Sequence, residues 1–145
     1  MTLFSRCAGL LAPALFALAC GGATLSVLHA KGRPQGDGPA HIDVKNSSGV
    51  AIDQLYIAKT EDVARAKASG VSPGSAEDVA LWGADHLGNG GLSPNAIFPG
   101  LELGEGRYDV LAVDPDKREE LVKGIRVHAG GRYVLEIGDS WALTR

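Results

Sequence analysis

The densest group of chemically capable side chains in the sequence is the run Trp82-Gly83-Ala84-Asp85-His86. An indole, a carboxylate and an imidazole so close together could hold a sugar or an aromatic ligand, because an apolar plate with a few polar groups is the usual composition of a pocket. Loops on a rigid scaffold often carry such residues, so we interpret Trp82, Asp85 and His86 as candidate binding residues. The structural alternative is that the indole covers one end of the fold, the carboxylate caps a turn and the imidazole faces solvent.

Patterns that would indicate catalysis or metal binding are missing from the sequence. The 4 histidines are isolated from one another, and no cysteine pair or His-Glu-x-x-His motif occurs, so we predict no metal site. Acidic residues between 114 and 120 could offer oxygen ligands to calcium, but they lack the spacing of an EF-hand loop, and we interpret them as a solvated turn. Because no Gly-x-Ser-x-Gly elbow is present either, we expect a non-catalytic protein without a cofactor.

Residues 1–20 have the composition of an export signal. A start with one basic residue leads into an uncharged run of Ala, Leu and Phe that ends at Cys20. Such a segment is an address and not part of a fold, so we predict a signal peptide over residues 1–19. The residues before Cys20 resemble a bacterial lipobox, which predicts lipid attachment to the Cys20 sulfur. Two alternatives stay open: plain secretion after cleavage at Ala19 or Ala30, and an uncleaved membrane anchor over residues 8–28.

The cysteine content agrees with lipidation at Cys20. The chain has 2 cysteines, and the other one, Cys7, lies inside the predicted signal peptide. The mature protein would therefore have no internal disulfide and would depend on its hydrophobic core. We expect the lipid to hold the protein at a membrane of the bacterial cell envelope, on the periplasmic face or at the cell surface.

Composition divides the remaining chain into a tether and one domain. The stretch 31–39 is rich in Gly and Pro and has no apolar anchor, so we predict a flexible tether over residues 20–40 and a folded domain over residues 41–145. The formal net charge is −3, and basic residues are scattered among acidic ones. This distribution argues against a nucleic-acid partner, because phosphate recognition needs a clustered basic patch.

From His41 onward, short alternating runs predict antiparallel strands. Ile42 to Lys45 and Ile52 to Ala58 flank turn residues at 46–49, which indicates a hairpin. Thr60 is placed to cap a short helix that reaches Ala68, and a second helical turn is predicted from Ser75.

The second half of the chain predicts a three-stranded meander over 107–113, 121–127 and 132–137. The spacing of two marks one buried face, with inward side chains at Tyr108, Val110, Ala112, Ile125, Val127, Tyr133, Leu135 and Ile137. A further strand is indicated near Ala96–Phe98. Six or seven short strands favour two packed antiparallel sheets, and we predict a single antiparallel β-sandwich with one or two short helices between residues 60 and 80.

Several segments, taken in order, resemble a family of small, uncharacterised exported bacterial proteins; they are 46–49, 52–57, 82–88, 92–100 and 106–110. The resemblance covers about residues 41–137 and implies a β-sandwich of immunoglobulin-like or prealbumin-like character. It implies no particular activity. The piece Gly106-Arg107-Tyr108-Asp109-Val110 is also similar to carboxypeptidase-regulatory-type sandwiches, whereas the cysteine pair of many family members is absent here.

The sequence thus predicts a cell-envelope lipoprotein module that presents loops to a protein or glycan partner. One alternative is a structural accessory subunit that adds a strand to a larger assembly, indicated faintly by Trp141 and Leu143 beyond the last predicted strand. A small hydrolase-like enzyme, built around Asp85 and His86, is a further alternative.

The first testable prediction concerns Cys20. We expect intact-mass spectrometry of the protein extracted from membranes to show a chain that begins at Cys20 and carries acyl groups. A chain without acyl groups in the soluble fraction, or an intact residue 1–145 chain in the membrane, would contradict lipidation and select one of the two alternatives.

Overall fold

The computed structural model describes residues 25–143, so the predicted signal peptide and Cys20 lie outside the described residues. Within this range the chain forms eight strands and two helices. In chain order they are β1 (Val27–Ala30), β2 (Ala40–Asn46), β3 (Gln54–Lys59), α1 (Thr60–Ala68), α2 (Ala76–Trp82), β4 (Ile97–Leu103), β5 (Gly106–Val113), β6 (Arg118–Val127), β7 (Arg132–Ile137) and β8 (Ala142–Leu143).

The strands form two four-stranded sheets, which confirms a mainly β protein with two short helices. The first sheet has the order β1-β7-β2-β4 and the second has the order β3-β5-β6-β8. Strands β2 and β7 are parallel, so the prediction of an entirely antiparallel arrangement is wrong at this pair. The reason is the long connection between them, which includes both helices and four strands and lets the chain re-enter the first sheet from the same end.

Both sheets contribute to one hydrophobic core, and the predicted inward side chains are buried. The confirmed positions are Tyr108, Val110, Ala112, Ile125, Val127, Tyr133, Leu135 and Ile137. Together with Ile42, Val44, Ile52 and Leu55 they form a single cluster. Because no cysteine lies between residues 25 and 143, this burial has to stabilise the domain without a cross-link. Each fully buried aliphatic side chain contributes about 1.5–3 kcal/mol.

Two predicted strand pairings are wrong because the chain changes sheets at those points. Strands β2 and β3 do not form a hairpin, since β2 pairs with β4 and β7 while β3 pairs with β5. The β5–β6 hairpin is confirmed. However, β7 leaves the expected meander and joins β1 and β2 in the first sheet. Alternation identified the buried faces but carried no information about which strands are neighbours.

The segment 20–40, predicted to be a flexible tether, contains a strand. Strand β1 pairs with β7 in the register Val27↔Glu136 to Ala30↔Tyr133, so the first sheet starts well before His41. The following residues also bind the fold, because the backbone N–H of Gln35 donates to the Gly130 carbonyl over 3.0 Å and that of Gly130 donates to the Gly38 carbonyl over 2.7 Å. The tether prediction is therefore wrong for this part; backbone hydrogen bonds replace the apolar anchors that the segment lacks.

Helix α1 spans the predicted residues, but its cap differs from the prediction. The N-cap is Lys59, which makes no side-chain cap, and Thr60 is the first helical residue. The Thr60 hydroxyl donates instead to Oδ1 of Asp109 over 2.7 Å. A hydrogen bond to a carboxylate is charge-assisted, so Thr60 stabilises the start of α1 through Asp109 and not as an N-cap. At helix α2 the Ser75 hydroxyl accepts the Asp78 N–H over 3.2 Å, as its predicted role requires.

Of the two residues that indicated strand addition to another protein, Trp141 packs within this domain and Leu143 belongs to strand β8. Trp141 is partly buried against the core. Strand β8 pairs with β6 in the register Arg118↔Leu143 and Glu119↔Ala142. Trp141 therefore finds its apolar contacts here, and it no longer argues for a larger assembly.

Asn46, at the end of β2, is a fully buried polar residue whose side chain is satisfied. Its Nδ2 donates to the carbonyl oxygens of Val50 (2.8 Å) and Leu92 (2.9 Å). Its Oδ1 accepts the Ser48 N–H at 3.0 Å and the Ser48 hydroxyl at 2.7 Å. The amide thus replaces the turn of the predicted hairpin and directs the chain from the first sheet to the second.

We expect Asn46→Ala to lower the free energy of unfolding by about 2–3 kcal/mol, because buried carbonyls and an N–H lose their partner. Urea unfolding of this variant measures the change, and Asn89→Ala, at an exposed position, is the matched control. Equal midpoints for the two variants would show that the buried amide does not organise the crossover.

Candidate functional site

A groove of about 610 Å³ lies on the outer face of the second sheet, on the side away from the core. Its floor is a row of apolar side chains on three neighbouring strands, because Tyr56 lies opposite Leu111 and Leu111 lies opposite Leu121. Leu121 is 39% exposed, although it is large and apolar. A second row, Gln54, Val113 and Glu119, runs beside the first.

Helix α2 and the loop before it form the wall of the groove. Trp82, Val79 and Asp78 come from the helix, and Pro73 and Gly74 come from the loop. Asp78 shapes this corner, because its Oδ2 accepts the Gly74 N–H over 2.8 Å. Val79 is 60% exposed, so the helix turns an apolar side chain towards solvent beside the open groove.

Asp109 ties the start of helix α1 to the second sheet. It is 4% exposed, and its Oδ1 accepts both the Thr60 hydroxyl at 2.7 Å and the Gly124 N–H at 2.8 Å. The pairing of β5 with β6 shifts register here, and Gly124 has a φ of 65°, a left-handed conformation that favours glycine. The bulge thus turns one backbone N–H towards the carboxylate that holds the start of α1.

Charged residues of the β5–β6 turn form one rim of the groove. Lys117 has a φ of 63°, and its ammonium lies 3.3 Å from Oδ2 of Asp53. The turn is built on Asp114, which is fully buried. Its Oδ1 accepts the Arg118 N–H at 2.8 Å and its Oδ2 accepts the Arg118 Nε–H at 2.7 Å. The acidic run is therefore a hydrogen-bonded turn that positions Lys117 at the groove.

The environment of Asp114 acts on its pKa in two directions. Burial raises the pKa, whereas the hydrogen bonds and the charge of Arg118 lower it and prevail, so the pKa lies below the ordinary value of an aspartate. Asp114 is consequently ionised at neutral pH and serves the turn as a charged acceptor.

The structure separates the three residues predicted to form one binding site. Trp82, the last residue of α2, lines the groove. Oδ1 of Asp85 accepts the backbone N–H groups of Leu55 at 2.8 Å and Leu87 at 3.0 Å, so this oxygen serves the edge of β3. His86 is exposed, and its backbone N–H donates to the Leu55 carbonyl over 2.9 Å. Asp85 and His86 are not among the residues that line the groove.

Sequence reasoning missed the floor of the groove. Tyr56, Leu111 and Leu121 alternate with the buried side chains along their strands. The sequence therefore already places these apolar residues on the face that is predicted to be exposed. Only the strand register shows that they form one surface, because it aligns them directly across three strands. An aligned apolar row on an outer face is a stronger signal than three scattered exposed residues.

Two negative findings apply to residues 25–143. No group of three or more His, Cys, Asp or Glu side chains there is arranged to hold a metal ion. Neither helix in this part of the chain has the length and hydropathy needed to cross a bilayer.

Comparison of the chain with protein-family models, with curated proteins and with solved structures gives no match in any of the three. The resemblance to small exported bacterial proteins therefore stays a prediction from sequence.

We expect Asp114→Asn to lower the free energy of unfolding by about 1–3 kcal/mol at neutral pH, because a buried charge-assisted hydrogen bond is weakened. The native pKa lies below the unfolded one, so the stabilisation by Asp114 is complete above about pH 4–5 and is lost as the pH falls through the native pKa. The difference between native protein and variant should therefore shrink in acid. Urea unfolding at a series of pH values measures it, with Asp116→Asn, at a side chain 82% exposed, as control. A difference that stays constant down to pH 2 would contradict the assignment.

Proposed function

We propose that this protein is a non-catalytic module of the bacterial cell envelope, anchored through lipid on Cys20, which binds an apolar segment of a protein partner in the groove beside α2. The observation that carries the proposal is the aligned row Tyr56, Leu111 and Leu121, which forms the floor of an open groove beside helix α2. Burying such a row against a partner is favourable at about 25 cal/mol per Å² of apolar surface.

The chemistry of the groove favours a protein segment over a glycan. Its floor has two leucines and one tyrosine, and Val79 lies on its wall. Aliphatic side chains pack well against the apolar side chains of a peptide, whereas a sugar needs flat aromatic plates with hydrogen-bonding groups around them. Trp82 offers one such plate, so glycan binding is the second candidate and the test below separates the two.

The early start of the first sheet gives the proposed anchor a short reach. Strand β1 begins at Val27, and the chain from Cys20 to this residue spans at most about 25 Å even when fully extended. A lipidated protein would therefore keep its domain close to the bilayer, and partners in or next to the membrane would reach the groove most readily.

Two four-stranded sheets around one core support the sequence resemblance at the level of architecture. We propose on this basis that the domain is a β-sandwich of immunoglobulin-like or prealbumin-like type and that it belongs with the small exported bacterial proteins it resembles. If this proposal holds, the structure of one of these proteins should contain a parallel strand pair equivalent to β2–β7.

Strand addition at an edge is the less favoured mode of binding. Among the strands of residues 25–143, β4 pairs only with β2 and has an exposed Ile97, but Pro99 and a register shift at Gly100 interrupt this edge. Interruptions of this kind block the pairing of a further strand. Catalysis by Asp85 and His86 is less favoured as well, because Oδ1 of Asp85 already accepts two backbone N–H groups.

The groove is tested by placing a photoreactive amino acid at position 121 in the full chain and irradiating living cells. We expect one discrete adduct in which mass spectrometry identifies peptides of a second protein, and its loss when Leu111→Glu is added, because a carboxylate in the floor would be buried without a partner. The same photoreactive residue at position 97 is the matched control, since Ile97 is exposed on the other sheet.

Thermal unfolding confirms that the Leu111→Glu chain is folded. An adduct that contains no peptides of a second protein, and that a glycan hydrolase returns to the mass of the chain, would show that the partner is a glycan. Equal adducts at positions 121 and 97, or an adduct that survives Leu111→Glu, would contradict a role for the groove.

A further inference from the structure

A second concave site, chemically unlike the groove, lies at one end of the first sheet. It is a cleft of about 320 Å³ whose lining includes Lys31, Arg33, His41 and Arg132, and none of its lining residues is acidic. The remaining lining is Gln35, Pro39 and two glycines, Gly38 and Gly130. A cleft lined by cations is unexpected in a chain whose formal net charge is −3.

The register of three neighbouring strands brings these cations together. His41 on β2 lies opposite Arg132 on β7. Lys31 directly follows β1, and its backbone N–H donates to the Arg132 carbonyl over 2.7 Å. All three residues are exposed, while their neighbours Ile42 and Tyr133 are buried, so the row lies on the outer face of the sheet. Lys31 and Arg132, which are both positively charged, lie side by side on neighbouring chain segments, and like charges in such positions destabilise a sheet unless something neutralises them.

Carboxylates of the protein neutralise only part of this row. The Lys31 ammonium lies 2.7 Å from Oδ2 of Asp43, and Nδ1 of His41 lies 3.5 Å from Oε1 of Glu102. Neither Arg33 nor Arg132 has an ion pair with a carboxylate of residues 25–143. Two guanidinium groups, each able to bind an oxyanion with two parallel hydrogen bonds, are thus left for a ligand.

Backbone hydrogen bonds hold the walls of the cleft in place. The N–H of Gln35 donates to the Gly130 carbonyl at 3.0 Å, the N–H of Gly130 to the Gly38 carbonyl at 2.7 Å, and the N–H of His41 to the Gly131 carbonyl at 2.8 Å. Gly130 has a φ of 63°, and a Cβ at this position would overlap the carbonyl oxygens of Gln35 and Gly36. The loop that carries Arg33 is therefore pressed against the turn before Arg132, so the backbone of the cleft is fixed by the fold.

The geometry points to a binding site for a phosphate group, held by the guanidinium groups of Arg33 and Arg132 with Lys31 and His41 beside them. Phosphate suits this site better than a monoanion, because several cations converge on one cleft and a dianion gains more from each of them. This site is on the opposite sheet from the groove and does not depend on it.

The position of the cleft favours phosphate carried by a solute over a lipid headgroup. Strand β1 leads from the Cys20 side of the chain to Lys31, so the cleft lies at the carboxyl end of β1, opposite the end at which the chain from Cys20 enters the strand. The lipid headgroup is the second source of the same chemistry, and the experiment has an arm for each.

The test follows backbone amide NMR shifts of the ¹⁵N-labelled full chain, purified in a non-ionic detergent, during titration with inorganic phosphate. We expect saturable shifts confined to residues 31–41 and 130–133, and about tenfold or greater weakening in Arg132→Gln and in Arg33→Gln, because each removes a charge-assisted hydrogen bond. Arg126→Gln is the matched control: it makes the same change of charge at an exposed position of the second sheet. Acetate at equal ionic strength is the control for a monoanion.

The two sources are separated by adding vesicles of phosphatidylglycerol or of phosphatidylcholine in place of phosphate. Shifts of the same amides with the anionic vesicles alone would assign the headgroup as the ligand, whereas shifts with inorganic phosphate alone would assign a solute. The proposal is overturned if neither probe gives saturable shifts in the cleft, if acetate acts as well as phosphate, or if Arg126→Gln weakens binding as much as Arg132→Gln. Retention of the amide spectrum in each variant confirms that it is folded.

Discussion

A buried carboxylate, Asp109, determines what the outer face of the second sheet can do. Its Oδ1 joins the start of α1, through Thr60, to the bulge of β6, through Gly124. Helix α1 is consequently tied at its start to the second sheet, and α2 follows it as one wall of the groove, while the apolar row Tyr56, Leu111 and Leu121 forms the floor. If the helices lay across this row, the sheet would have a second core; because they lie beside it, the sheet has a groove.

The same chain supports two unlike surfaces because its two sheets use their outer faces differently. The second sheet exposes an apolar row, and the first exposes a row of cations between β1, β7 and β2. Both depend on pairings between strands that are distant in sequence, and each sheet has a glycine with a left-handed backbone at a turn or bulge, Gly124 in β6 and Gly130 before β7. The domain attains this without a disulfide, since its inward side chains form one continuous cluster.

Local physics made much of this fold readable from sequence. Period-two alternation identified the buried side chains of β5, β6 and β7, and the capping pattern at Ser75 located α2. Strand pairing could not be predicted, because alternation is the same whether a strand joins its chain neighbour or crosses to the other sheet; β7 and the β2–β3 connection show this.

The tether prediction failed for a related reason: strand β1 has only four residues, and the loop after it is held by backbone hydrogen bonds to Gly130 that composition does not reveal. Of the predicted binding residues only Trp82 lines the groove. Asp85 was predicted to accept hydrogen bonds from a ligand, but its Oδ1 accepts two backbone N–H groups of the protein.

The central claim is that the groove beside α2 is occupied by a partner in the cell, and cysteine accessibility tests it most directly. Val79 and Ile97 are almost equally exposed, at 60% and 56%, one beside the groove and the other on the opposite sheet. Val79→Cys and Ile97→Cys are treated with a permeant maleimide, in intact cells and after purification, and labelling is read by peptide mass spectrometry. The account predicts similar labelling rates for the two purified proteins and slower labelling at position 79 alone in cells. Equal rates at both positions in cells would contradict it.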